Sequence, residues 1–296
     1  MIMDNNFQSW FIPFDVFNLI CHSLVIIFTF IFLFIIIGDK TCHTVPMLLV
    51  ANSCLAELVF SSNLFWMAIF TLNNDLKRQQ YEDSLCVFRG YIIYITCYIQ
   101  NCSYFLQAIY RYITVVYSAR LFWQSARFQF FLISLMWTSA VIFTLPHILT
   151  NQVIYLVDDQ ICEMPSQRSF ISIYNVTWFY MIPMSSIILI YVKLVRYVKH
   201  MSKHVTPVNT LIRAQRELKM VYRIVILVPF LIGLGIPYAS FVVIGFFTSP
   251  PKYHFRIAYI FVNISLIFIM MSLFKFTDPV RTSVMKIINA VVEIVR

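Results

Sequence analysis

The chain has 296 residues, of which 60% are hydrophobic and only 12% charged, with 29 Phe and 17 Tyr. Soluble domains carry about 25% charged residues, so this composition excludes an ordinary water-soluble globule and points to a chain held largely in lipid. The formal net charge of +9 then belongs to the loops and is no argument for a nucleic-acid partner; none is expected.

A membrane-crossing α-helix needs about 20 apolar residues for a hydrocarbon core of roughly 30 Å. Seven runs of that kind follow in order: 14–37, 46–72, 87–117, 128–150, 172–195, 222–247 and 255–276. The expected fold is all-α, a single seven-transmembrane helix bundle over residues 1–296, with short connections and no repeat. The first run is not read as a secretory signal, because the residues before it are acidic and polar and the run is too long for an h-region.

The second run carries Glu57, the only acid well inside a span. Ionising a carboxylate in lipid costs at least a few kcal/mol, so a protonated Glu57 hydrogen-bonded to Gln100 or to a backbone carbonyl is expected. The third run ends in QAIYRYITVVY, residues 107–117, with Arg111 at its edge. Cys86 and Arg111 are 25 residues apart, about 37 Å along a helix, and so mark opposite membrane faces. A cation there can simply anchor the helix end by snorkelling.

Pro183 interrupts the fifth run and Pro229 and Pro237 the sixth, each removing a backbone hydrogen bond. Pro237 with Gly233 and Gly235 makes a soft point, a hinge for a swing of the inner half or a static bend. After the seventh run, Asp278 can cap a helix that begins at Pro279. Apolar residues at helical spacing from Val280 to Val295 then suit a short amphipathic helix, 278–295, on the inner membrane surface.

Sixteen of the 22 Lys and Arg residues fall on one side of this arrangement. The positive-inside rule puts the N-terminus outside and the C-terminus in the cytoplasm of a multi-pass plasma-membrane protein. Asp158, Asp159 and Glu163 then belong to an outer loop. Cys86 and Cys162 lie on the same outer side, where disulfides persist. A bridge between them would pin the loop over the bundle; the alternative is two free loop thiols.

These residues resemble the rhodopsin-like (class A) G-protein-coupled receptors, over all seven spans. The outer Cys followed 25 residues later by Arg and an aromatic is matched by Cys86, Arg111 and Tyr112, with Tyr110 where the family has an acid. ANSCLAEL, residues 51–58, is similar to the Asn-Leu-x-x-x-Asp segment, with Glu57 for the Asp. Trp137, Pro146, Pro183 and Tyr191 match further family positions. In the sixth span Gly235 stands where the family has Trp and Leu231 where it has Phe. In MMSLFKFTDPVR, residues 270–281, Met270 and Met271 replace Asn-Pro and Phe274 replaces Tyr.

The resemblance implies an extracellular ligand in the outer half of the bundle, near Tyr94, Cys97, Asn175, Phe179, Tyr238 and Arg256. Ile93 and Ile264 stand where amine-binding Asp and retinal-binding Lys would be, which disfavours a biogenic amine in the usual pose and retinal. Arg89, Lys252 and Arg256 near the mouth favour an acidic ligand such as a peptide, unless they contact lipid headgroups. It also implies a heterotrimeric G-protein partner and a switch built from Tyr110, Arg111, Tyr112, Tyr191, Glu217 and Phe274, with Glu217 pairing with Arg111 at rest. With Gln100, Gly235, Leu266 and Met270 around Glu57, the family's sodium site is not expected. No cofactor, metal or enzymatic constellation such as His-Glu-x-x-His is present. The alternatives are a seven-helix receptor or scaffold that does not signal, and a transporter.

Overall fold

The computed structural model describes residues 11–117, 119–166, 169–203, 233 and 235–295. Helices α1 (Phe11–Gly38), α2 (Val45–Lys77), α3 (Cys86–Val116) and α4 (Ala126–Leu149) form the first four spans. The fifth is α5 (Phe170–Asn175), a π-helical stretch Val176–Met181 and α6 (Ile182–Lys203). The described part of the sixth is α7 (Gly235–Phe247); α8 (His254–Phe276) is the seventh, and α9 (Asp278–Val295) follows. Between α4 and α5 lies an antiparallel hairpin, β1 (Ile154–Leu156) with β2 (Ile161–Glu163), in which Tyr155 faces Cys162.

Among the described residues, five helical stretches are long and apolar enough to cross a membrane: Phe11–Gly38, Val45–Lys77, Ala126–Leu149, Phe170–Met201 and His254–Lys275. Outward residues such as Phe34, Leu149 and Phe247 stand almost fully exposed, as lipid-facing side chains do. Helix α3 is more polar because it is the central one, packed on α2, α4 and α6. Its tyrosines other than Tyr112, its glutamines and its asparagine are buried, and away from water they need partners. Gln107 donates to the Ser53 hydroxyl at 2.6 Å, and Trp137 of α4 donates to Asn52 of α2 at 2.9 Å. Interhelical bonds of this kind contribute about 0.6–2 kcal/mol each in lipid. Glu57 takes the Tyr104 hydroxyl at 3.3 Å, not Gln100 or a backbone carbonyl. The partner expected from sequence is therefore corrected: Tyr104, one helical turn beyond Gln100, presents a hydroxyl on a longer arm.

The helix ends follow local chemistry. Asp39 caps the turn after α1 by accepting from Thr41, and Pro46 sits in the first turn of α2. Arg78 ends α2 in the left-handed region, φ 50°, its N–H returning to Asn74 and Asp75 carbonyls. Ser125 caps α4 through the Phe128 N–H at 3.3 Å.

Pro183 produces more than a kink. Lacking an N–H, it cannot bond the Phe179 carbonyl four residues back, and the chain widens into the π-helical stretch just before it. The Phe179 carbonyl accepts from another helix: Asn101 of α3 donates to it at 2.9 Å.

Helix α9 packs against α1, α8 and the turn at Lys40–Cys42. Val280 is fully buried and Val284 half-buried, while Arg281 and Lys286 are exposed. The Ser283 hydroxyl donates to the Asp39 carboxylate. That bond, with the Thr41 bonds, holds the Asp39 carboxyl down at about 2.

Candidate functional site

Cys86 and Cys162 form a disulfide, with Cα atoms 5.4 Å apart. The bridge lays β2 directly across the first turns of α3. A Cβ at Gly90 would fall 2.8 Å from Val153 Cγ1 and closer still to the Cys162 carbonyl oxygen, so only glycine lets the hairpin down this far. Tyr94, one turn deeper, fixes the same strand: its hydroxyl accepts from the Met164 N–H at 3.1 Å and donates to Glu163 at 2.5 Å.

Beneath the hairpin is a cavity of about 90 Å³. Tyr94, Cys97, Asn175, Phe179 and Tyr238, residues expected there from sequence, all line it. The remaining wall is mostly apolar or aromatic, with Phe60, Ile93, Tyr180, Tyr259 and Val262. Behind it the buried His147 ring stacks between Tyr94, at 4.6 Å, and Phe179, at 5.5 Å. The volume is small beside the 300–1,000 Å³ of drug-sized sites, so a peptide is not seated whole in this state.

Among the described residues, Glu163 supplies the only carboxylate of the lining. It lies, as expected, in the loop that also holds Asp158 and Asp159, yet Glu163 and Asp159 are buried, 1% and 2% exposed. Glu163 accepts from Tyr94 and, at 2.9 Å, from Tyr259 of α8. Burial pushes its carboxyl up to about 7 against these two bonds. Sequence did contain a signal for it. A residue next to a loop cysteine bridged to α3 is held over the bundle axis, whatever its polarity.

Arg256 is corrected: it does not line the cavity but closes an ion cluster above it. Its guanidinium meets Asp75 of α2 at 2.6 Å and Asp15 of α1 at 3.7 Å, and donates to the Asp159 carbonyl at 3.2 Å. Phe11 covers it at 4.4 Å. Arg89 is likewise committed, to Asp83 at 2.6 Å, between Trp66 and Phe70. Two of the three mouth cations are thus neutralised by the chain's own carboxylates, which removes the electrostatic argument for an acidic ligand. Lys252 is exposed. The fold draws these acids inward because buried guanidinium groups need carboxylate partners.

Gly235 and Pro237 both lie in α7. The room left by Gly235 is not empty. A Cβ there would stand 2.7 Å from Tyr180 Cδ2 and nearer to two other ring atoms. The aromatic missing from the sixth span is supplied by the π-helical stretch of the fifth.

At the opposite end of α3, Tyr110 is buried with Leu49 and Leu106, against Leu132 and Ile133. Where the resemblance would place an acid, the phenol packs α3 onto α2 and α4. Arg111 and Tyr112 are half-buried, and Tyr191 of α6, 3% exposed, is within electrostatic reach of Arg111. Glu217 lies outside the described residues. Phe274 is corrected: it is 39% exposed and faces α1 across a groove lined by Phe28 and Phe32. Leu266, Ile269, Met270 and Leu273 take the inward face of α8, and at 3.6 residues per turn position 274 falls on the flank of that face, toward α1.

Residues 29–279 match the family model described as 7 transmembrane receptor (rhodopsin family). The fold is similar to the crystal structure of squid rhodopsin, with a TM-score of 0.76 at 16% sequence identity, covering 94% of this chain and 85% of that one. No curated protein sequence matches the chain.

Proposed function

The chain belongs to the rhodopsin family of seven-transmembrane receptors, and from that premise we propose that it binds an extracellular ligand in the cavity beneath the hairpin and activates a heterotrimeric G protein at the Arg111 end. The observation that carries this reading is the cavity itself: five residues from α3, α5, the π-helical stretch and α7 converge under a hairpin tied to α3. A ligand there touches three spans at once. It bears on α7 through Tyr238 and on the fifth span through Tyr180, so a change at the cavity is felt by α7 and by the fifth span, whose α6 runs on to the Arg111 end. The basic residues gathered at the Arg111 end support an N-terminus outside and a C-terminus in the cytoplasm of the plasma membrane.

Nucleotide exchange on a panel of Gα subunits, in membranes carrying the full chain, tests the reading. At least one Gα should exchange faster than in control membranes. Ala239→Phe, which fills the cavity, should change that rate at equal surface density, whereas Val243→Phe on the exposed face of the same helix should not. No acceleration of any Gα would favour a receptor that binds without signalling.

A further inference from the structure

The cavity holds one carboxylate and, among the described residues, no basic group paired with it. Both Glu163 oxygens accept tyrosine hydroxyls, but a hydroxyl donates a hydrogen bond without supplying a charge. The nearby basic groups of α8 are spent elsewhere, Arg256 on Asp75 and His254 on Ser166 and the Pro251 carbonyl. Each carboxylate oxygen has a second lone pair and can take a further donor. Aromatic rings of Tyr94, Phe179, Tyr180, Tyr238 and Tyr259 form the wall, and ring faces attract cations, most strongly where water is excluded.

Resting on the reading of this cavity as the ligand site, we propose that its ligand is a small molecule with an apolar body and one protonated amine, the amine pairing with the Glu163 carboxylate. The chemistry follows from what the described residues of the site lack. An ammonium brings the missing counter-charge and donors for the free lone pairs, and its carbon body meets the apolar wall. A ligand carboxylate would set two like charges together in a buried site, which is strongly unfavourable. The acid that selects the cation comes from the hairpin, not from the face of α3, where Ile93 lines the cavity.

Cys97, half-buried in the lining, offers a direct test on the purified full chain in detergent. Three methanethiosulfonates of similar size are compared for their rate of labelling this thiol: aminoethyl (cationic), ethyl (neutral) and sulfonatoethyl (anionic). Cys97→Ala subtracts reaction at the other cysteines. The cationic reagent should lead the neutral one, and the anionic one should trail it, by about tenfold at each step. Glu163→Gln should bring the three rates together, and the order in the unsubstituted chain decides the matter if that variant fails to fold. Equal rates, or the anionic reagent leading, would overturn the cation preference while leaving a cavity open to ligands. Failure of all three to label Cys97 would overturn the cavity reading and this inference with it.

Discussion

The ring of Tyr180 fills the space in which a side chain at Gly235 would stand. The two residues come from neighbouring spans and share the cavity wall, so the packing of the fifth span against α7 depends on glycine at one position and an aromatic at the other. Gly235→Phe alone should destabilise the protein by about 1–3 kcal/mol through overpacking, and Tyr180→Ala alone should cost a comparable amount by leaving a void. Combined, they should cost clearly less than their sum. Thermal unfolding of the four proteins in detergent measures this, and strict additivity would show that the ring does not hold that space.

The bond from Asn101 reaches the Phe179 carbonyl, which Pro183 cannot bond. Asn101→Leu should cost about 1–2 kcal/mol, because it removes that carbonyl's donor in an apolar interior. In a Pro183→Ala background the restored N–H can bond that carbonyl within the helix, and Asn101→Leu should then cost much less. An equal cost in both backgrounds, read from unfolding temperatures, would separate the asparagine from the proline.

Cys86→Ser should lower the surface level of the receptor, since the bridge closes 76 residues of sequence separation and a bridge of this kind is worth about 2–4 kcal/mol. Cys162→Ser should match it, and the double substitution should be no worse than either. Quantifying surface epitope on intact cells makes the comparison, and a double variant well below both singles would mean that the cysteines act separately.

Glu163 sets a pH dependence whose sign is fixed. Its carboxyl, ordinarily near 4.5, is pushed up to about 7 in the fold by burial. Between those values the folded chain holds a proton that the unfolded chain has lost, so stability falls as pH rises through that window and is fullest below it. The groups facing Glu163 are Tyr94, Tyr259, Tyr238, Cys97 and Asp159. The Asp159 carboxyl is also raised by burial, but it is present in both proteins compared. Relative to the unsubstituted chain, Glu163→Gln should therefore gain unfolding temperature between about pH 5 and about pH 8. A difference that stays constant over this range would show that Glu163 is not the titrating group.

Much of this architecture is legible in the sequence because a helix has a fixed period. The family resemblance brings Tyr94, Cys97, Asn175, Phe179 and Tyr238 toward one cavity, and length alone separates Cys86 from Arg111. What spacing does not contain is the path of a loop or the choice of partner by a charge. Glu163 reads as a solvated loop acid until the Cys162 bridge drops its strand onto α3. Arg256 reads as a mouth cation until Asp75 and Asp15 are brought to it by helices far away in sequence. Phe274 was aligned by motif, whereas the burial of Met270 and Leu273 decides which way it points. The Tyr180 ring fills the Gly235 space because of a π-helical turn, an irregularity that periodicity does not express.

The central claim is that events in the cavity reach a G protein at the far end of α3, and Arg111 is its most direct test. Arg111 stands half-buried at that end, near Tyr191 of α6. The sequence expectation adds Glu217 as its resting partner, so Glu217→Ala should raise ligand-independent exchange. A surface pair of this kind is worth about 1 kcal/mol, or about a fivefold shift in a two-state population. The deciding measurement is nucleotide exchange on the responsive Gα by the unsubstituted chain and by Arg111→Ala at equal surface density. The account predicts that Arg111→Ala abolishes exchange while the receptor still reaches the surface; exchange undiminished by Arg111→Ala would contradict it.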